Sequence, residues 1–88
     1  MLPLRINISD QARVNLLEIW TFLAEDNVKA AESVYDRIRD KIAFLAENPA
    51  AGRSREDLRP GLRSFPVGQY LIFYVPFDKS ILISRIVH

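Results

Sequence analysis

Residues 58–75 read Leu-Arg-Pro-Gly-Leu-Arg-Ser-Phe-Pro-Val-Gly-Gln-Tyr-Leu-Ile-Phe-Tyr-Val, and this stretch decides the fold. Pro60-Gly61 fits the two central positions of a type II turn, because proline presets φ at the first and glycine tolerates the positive φ of the second. Leu62 to Phe65 then opens a strand, which Pro66-Val67-Gly68 is expected to turn. Tyr70 to Val75 is β-branched or aromatic at every position but Leu71, and apolar on both faces. That is the pattern of a strand covered on both faces, so it belongs at the centre of a sheet. Pro76 to Ser80 makes the next turn, and Ile81 to His88 supplies a last strand.

Working outward, Leu4, Ile6 and Ile8 alternate with Arg5 and Asn7, which predicts a short strand with the three apolar residues on one face. Ser9 or Asp10 then offers a helix N-cap. Ala12, Leu16, Ile19, Trp20 and Leu23 recur at spacings of three and four, predicting an amphipathic helix that runs to Glu25. Val14, Leu17 and Phe22 lie off that stripe, so the helix is apolar on more than one side and is either deeply packed or partnered. Asn27 is a second N-cap, and Ala31, Val34, Tyr35, Ile38, Ile42 and Leu45 form the stripe of a second helix ending near Glu47. Asn48-Pro49 stops it, since proline lacks an amide and disfavours helical geometry in the residue before it. Residues 50–61 read as a polar connector. The order β-α-α-β-β-β predicts an α+β fold, one domain over residues 1–88, with a helical hairpin packed on a mainly antiparallel sheet.

Bulk properties narrow the function. No run of about 18 apolar residues occurs, so no membrane span or membrane partner is expected. Arg5 follows Met1 too closely for the apolar core of a secretory leader. The chain has no cysteine, which excludes disulfides, thiolate catalysis and cysteine-type zinc sites and points to the cytoplasm. The net charge of +1 hides an asymmetry: residues 1–49 carry −2 and residues 50–88 carry +3. Five of the six cations in the second part are arginines, whose planar fork suits carboxylate or phosphate. The overall balance still falls short of the pI above about 9 of a dedicated nucleic-acid binder.

Chemistry-bearing motifs are scarce. His88 is the only histidine, and a terminal histidine is more commonly a solvated side chain than a catalyst. No Ser-His-Asp set, metal cluster or cofactor motif is legible, and Gly52, Gly61 and Gly68 have neither Walker nor Rossmann spacing. Tyr70, Phe73 and Tyr74 have the chemistry to stack nucleobases on a sheet, although core packing is the commoner use. Arg59, Arg63, Arg85 and His88 remain as a candidate cluster. Whether they meet depends on strand register, and protection of a sheet edge is the plainer role.

Leu58 to Gly68, followed by Tyr70 to Tyr74, resembles the signature stretch of the ParE toxins of the RelE/ParE superfamily. Ile83 to His88 resembles that family's last strand. Ala12, Leu16, Ile19 and Phe22 resemble its first helix, and Ala30-Ala31 to Pro49 with Gly52 its second helix and exit. The resemblance implies the toxin of a type II toxin–antitoxin system, neutralised by a ParD-like antitoxin. It implies a poison of DNA gyrase that acts by binding, with contact to DNA only through the antitoxin complex or trapped gyrase. Under it, Arg59, Arg63, Arg85 and His88 are expected to meet the target, and Leu17, Phe22, Tyr35, Tyr70, Ile72 and Tyr74 the antitoxin. Two alternatives stand beside it. One is a ribosome-dependent mRNA endoribonuclease of the RelE type, from whose pattern the chain departs in having no Tyr after Arg85. The other is an inactive antitoxin-binding module, since family members usually continue past the histidine.

Overall fold

The computed structural model describes residues 3–88; Met1 and Leu2, with which the leader reading begins, lie outside the described residues. Seven elements follow one another: β1 (Arg5–Ile8), α1 (Asp10–Asp26), α2 (Val28–Glu47), β2 (Arg53–Ser54), β3 (Arg63–Val67), β4 (Tyr70–Pro76) and β5 (Ser80–Val87). The sheet order is β1-β5-β4-β3-β2. The apolar run Tyr70–Val75 is thus the middle strand, as its composition predicts. β1 pairs parallel with β5, and the other three pairings are antiparallel. Both helices lie on one face of this sheet.

Capping fixes the helical hairpin. Ser9 Oγ accepts from the Ala12 amide at 3.0 Å and donates to the Ser84 carbonyl at 2.8 Å. It therefore starts α1 and ties that end to β5. Asn27 alone separates the helices: its amide donates to the Leu23 carbonyl, and its side chain accepts from Ala30. One residue thus closes α1 and opens α2, satisfying end groups that would otherwise lack partners. The hairpin buries Ala12, Ile38, Ile42, Leu45 and Ala46 against Ile72, Tyr74, Ile81, Ile83 and Ile86, and Ala31 is buried outside that cluster. β1 reaches β5 only as far as Ile83. Beyond it Asn15 Oδ1 accepts from the Ile86 amide at 3.0 Å, so α1 takes over from β1 as the neighbour of β5.

Three local readings of the sequence are corrected. The second strand does not turn at Pro66: β3 continues to Val67, and Gly68-Gln69 forms the hairpin between the paired Val67 and Tyr70. Gly68 has φ 58°, as a glycine in the first central position of a type II′ turn requires. Pro66 is tolerated because β2 pairs only with Arg63 and Ser64. In the antiparallel alternation its missing amide points to that open side, away from β4. The connector also contains β2, too short to leave a period-two signal. Finally, Tyr35 falls on the stripe of α2 yet is 43% exposed. The turn at Pro60-Gly61 forms as expected, with the Leu62 amide donating to the Arg59 carbonyl and Gly61 at φ 77°.

The exit of α2 is held by one side chain. Tyr74 is fully buried; its hydroxyl accepts from the Gly52 amide at 2.7 Å and donates to the Pro49 carbonyl at 2.9 Å. A Cβ on Gly52 would lie 2.6 Å from Tyr74 Cε1 and closer still to the hydroxyl. Gly52→Ala is therefore expected to destabilise the protein by about 1–3 kcal/mol through overpacking. Tyr74→Phe, which strands a buried amide, should cost about 1–3 kcal/mol. Thermal melting checks both, at roughly 4–8 °C per kcal/mol for a domain of this size.

Burial pushes the Tyr74 phenol above its ordinary pKa of 10.0, against the opposing pull of the Gly52 hydrogen bond and the Arg63 charge. The unfolded chain therefore releases this proton first, and the linked stability, intact below pH 10, falls as pH rises beyond it. Denaturant melts at about pH 8 and 11 should show the gap between wild type and Tyr74→Phe narrowing at the higher pH. A constant gap would contradict this.

Candidate functional site

Two surfaces collect the residues singled out from the sequence. The first is the outer side of the helical hairpin. α1 must place Ala12, Leu16, Ile19 and Leu23 toward the sheet, so its remaining apolar residues face out: Val14 is 50%, Leu17 65% and Phe22 71% exposed. Arg13, Leu16, Leu17 and Trp20 of α1 meet Tyr35 of α2 in a groove between the helices. Trp20 is half-buried there rather than in the central core. At the other end of α1, Phe22 and Ile19 line a hollow with Tyr70, Ile86 and His88. Leu17, Phe22, Tyr35 and Tyr70 are thus reachable by a partner. Ile72 and Tyr74 are not: both are fully buried, because alternation along β4 turns these two side chains under the helices. Their assignment to an antitoxin surface is corrected.

The arginines do not form one cluster. Arg63 pairs with Tyr74 in register and so lies on the helix-bearing face, where its guanidinium donates to the Gly52 carbonyl at 2.6 Å and to Ala50 at 3.4 Å. Arg85 pairs with Phe73, one residue along β4, and therefore lies on the opposite face. Arg59 is exposed in the turn that precedes β3. His88 stands at the far end of the sheet beside the β3–β4 hairpin. Its Nε2 lies 3.1 Å from Gln69 Oε1, and its ring is 5.2 Å from that of Tyr70. The register shift between Phe73 and Tyr74 leaves Ser84 as a bulge, its hydroxyl donating to the Phe73 carbonyl at 3.1 Å. That bulge, unreadable without the pairing, decides the face on which Arg85 emerges.

On the helix-free face Phe73 and Arg85, singled out in the sequence, are joined by Arg53, Arg55 and Ser64, which are not. Arg53, Ser64, Phe73 and Arg85 are consecutive register partners across β2, β3, β4 and β5. Arg55 Nε donates to Ser64 Oγ at 2.9 Å, and its guanidinium sits 6.0 Å from the Phe73 ring centroid. The available signal was compositional: the strands contain arginine and no carboxylate. Among the described residues no group of three or more His, Cys, Asp or Glu is arranged to hold a metal ion, and no helix is long and apolar enough to cross a membrane.

Comparison with known proteins gives a consistent answer. The family model described as "ParE toxin of type II toxin-antitoxin system, parDE" matches residues 6–88. The chain is 31% identical over 86 residues to Toxin ParE1 of Mycobacterium tuberculosis, an alignment covering 96% of this chain and 88% of that one. It is 36% identical over 73 residues to Toxin ParE3 of Caulobacter vibrioides, covering 82% and 73% respectively. A solved structure described as a chromosomal ParDE TA system from P. aeruginosa shares the fold, with a TM-score of 0.78 over 97% of this chain and 95% of the other at 21% identity.

Arg59 and Arg63 fall in the matched span but sit in different surroundings, and substitution separates them. Arg63→Ala removes two hydrogen bonds from a charged donor and should cost about 1–2 kcal/mol. Arg59→Ala should leave the melting temperature unchanged. Equal melting temperatures for the two variants would show that the Gly52 contact contributes nothing.

Proposed function

The chain belongs to the ParE toxin family of type II toxin–antitoxin systems, and from that premise we propose that it acts in the cytoplasm as a DNA gyrase poison, without catalysis, and is neutralised by a ParD-like antitoxin. The observation that carries the reading is the family match from residue 6 to residue 88, which spans both helices and every strand but the first residue of β1. The exposed apolar side of α1 supports the antitoxin part. Leu17 and Phe22 belong to a helix whose core-facing side is already filled, and large apolar residues gathered on an outer face mark a protein interface more often than isolated ones do. An amphipathic or extended antitoxin segment laid along α1 would cover Val14, Leu17 and Phe22 and enter the groove at Trp20 and Tyr35.

The chemistry within reach supports a non-catalytic reading. The single histidine has the Gln69 amide and the Tyr70 phenol beside it, and Glu18, which lines the same hollow, forms no ion pair with it among the described residues. Tyr74, the buried phenol, is committed to two backbone groups. A poison of this kind works by differential binding to one state of its target, which needs surface and charge rather than a proton-transfer pair.

Two measurements test the reading. Leu17→Asp with Phe22→Asp should weaken binding of the cognate antitoxin by at least about 100-fold, as loss of two central anchors does, without altering the circular dichroism spectrum. Unchanged affinity would place the antitoxin elsewhere. Titration of the purified protein into a gyrase supercoiling reaction should inhibit it and accumulate cleaved DNA. Full supercoiling at large excess would remove gyrase as the target.

A further inference from the structure

The charges of this protein are sorted by layer. The two helices carry eight carboxylates against Arg13, Lys29, Arg37, Arg39 and Lys41. The five strands carry four arginines, Arg5, Arg53, Arg63 and Arg85, and no carboxylate. A net charge of +1 therefore averages an acidic helical layer and a basic sheet. Net charge alone understates what the second face can attract, because a ligand meets the local potential and not the average.

The helix-free face has a definite layout. Register places Arg53, Ser64, Phe73 and Arg85 in one row across four strands, which spans about 14 Å at the usual interstrand spacing. Arg55 joins the row through Ser64 and Phe73. Arg5, paired with Ser80, lies on the same face on the far side of β5. Arg5, Arg53 and Arg85 are exposed, and both ion pairs found among the described residues belong to Arg39 on α2. Between the arginines, Leu71 and Val75 flank Phe73 on β4, with Leu82 opposite Val75 and Val87 opposite Leu71, all half-buried.

From this arrangement we propose that the helix-free face binds a single-stranded nucleic acid directly, its phosphates on Arg53, Arg55 and Arg85 and its bases against the strip centred on Phe73. Planar guanidinium groups match phosphate oxygens, and flat apolar or aromatic surface accepts any base by its π-face. An acidic peptide would satisfy the arginines but set carboxylates over Leu71, Phe73 and Val75, which is why the nucleic acid is the better occupant. The inference departs from the expectation that DNA is met only through the antitoxin complex or gyrase. It does not depend on gyrase being the target.

The test is fluorescence anisotropy of a labelled oligothymidylate of about 12 nucleotides titrated with the full chain. Three phosphate contacts predict roughly a 20-fold loss of affinity between about 50 and 200 mM salt. Arg53→Glu with Arg85→Glu should abolish binding. The milder Arg53→Gln with Arg85→Gln should flatten the salt dependence to that of about one contact, with thermal melting confirming that both pairs of changes leave the fold intact. Lys29→Gln with Arg39→Gln on the helices should leave affinity unchanged. No binding at low salt, binding that survives the sheet substitutions, or capture of polyglutamate in preference to the oligonucleotide would each overturn the proposal.

Discussion

The architecture depends on the hydroxyl of Tyr74. It bridges the Gly52 amide and the Pro49 carbonyl, so the chain leaving α2 is fastened to the central strand where it would otherwise drift. Only a residue without a Cβ fits against the ring at position 52. Arg63 completes the arrangement by donating to the Gly52 carbonyl, so both polar groups of that peptide backbone at Gly52 are satisfied by side chains of the sheet. A buried backbone group left alone would be costly. Here the satisfaction also aims the chain: with Gly52 fixed, Arg53 and Ser54 fall into register with β3. The short β2 is a consequence of this clamp more than of its own sequence.

Sorting of charge follows from the same layered plan. The helices can expose their outer sides to water and carry carboxylates there freely. The strands have one face under the helices and one open, and their charged positions are occupied by arginine alone. Arginine serves at a sheet edge because charge discourages pairing with another chain. That accounts for Arg5 on β1 and Arg53 on β2, the two edge strands. Arg85 is a different case: β1 ends its pairing at Ile83, so beside Arg85 the outer side of β5 is met by α1, through Asn15 and the Ile86 amide. With that side already occupied by a helix, a charge exposed on the open face there is a matter of ligand or solubility more than of edge protection.

What the sequence made legible is what local chemistry dictates. The N-caps at Ser9 and Asn27, the type II turn at Pro60-Gly61, the stop at Asn48-Pro49 and the central place of Tyr70–Val75 each rest on residues within a few positions of one another. The errors share a different origin. The end of β3 was misplaced because Pro66 disrupts a strand only where its amide is needed, and that depends on how far β2 extends. Ile72 and Tyr74 come to a partner surface only through the family resemblance, and the residues cannot check it, because the run in β4 is apolar on both faces and period two cannot tell the buried face from the open one. Whether Arg63 and Arg85 meet stays open in the sequence because register is not readable there, and a single bulge at Ser84 sets which face Arg85 takes. Pairing between strands determines each of these, and no local pattern encodes it.

The two candidate surfaces lie on opposite sides of the sheet. The apolar side of α1 faces away from the strands, and the arginine row faces away from the helices, so a segment confined to the hairpin would leave Arg53, Arg55 and Arg85 uncovered. Neutralisation by such a segment would then have to act by remodelling the helices or by obstructing the target's bulk, since it would not occupy the basic face. A segment long enough to round an edge has two routes. Past β1 it meets Ile6, exposed beside the hollow formed with α2, and then Arg5. Past β2 it would meet Arg53 and Ser54, both exposed, and the exposed Leu58 of the connector that follows. The β1 edge, where Ile6 stands next to Arg5 on an edge strand, thus offers a short path from the greasy side of the molecule to the basic one.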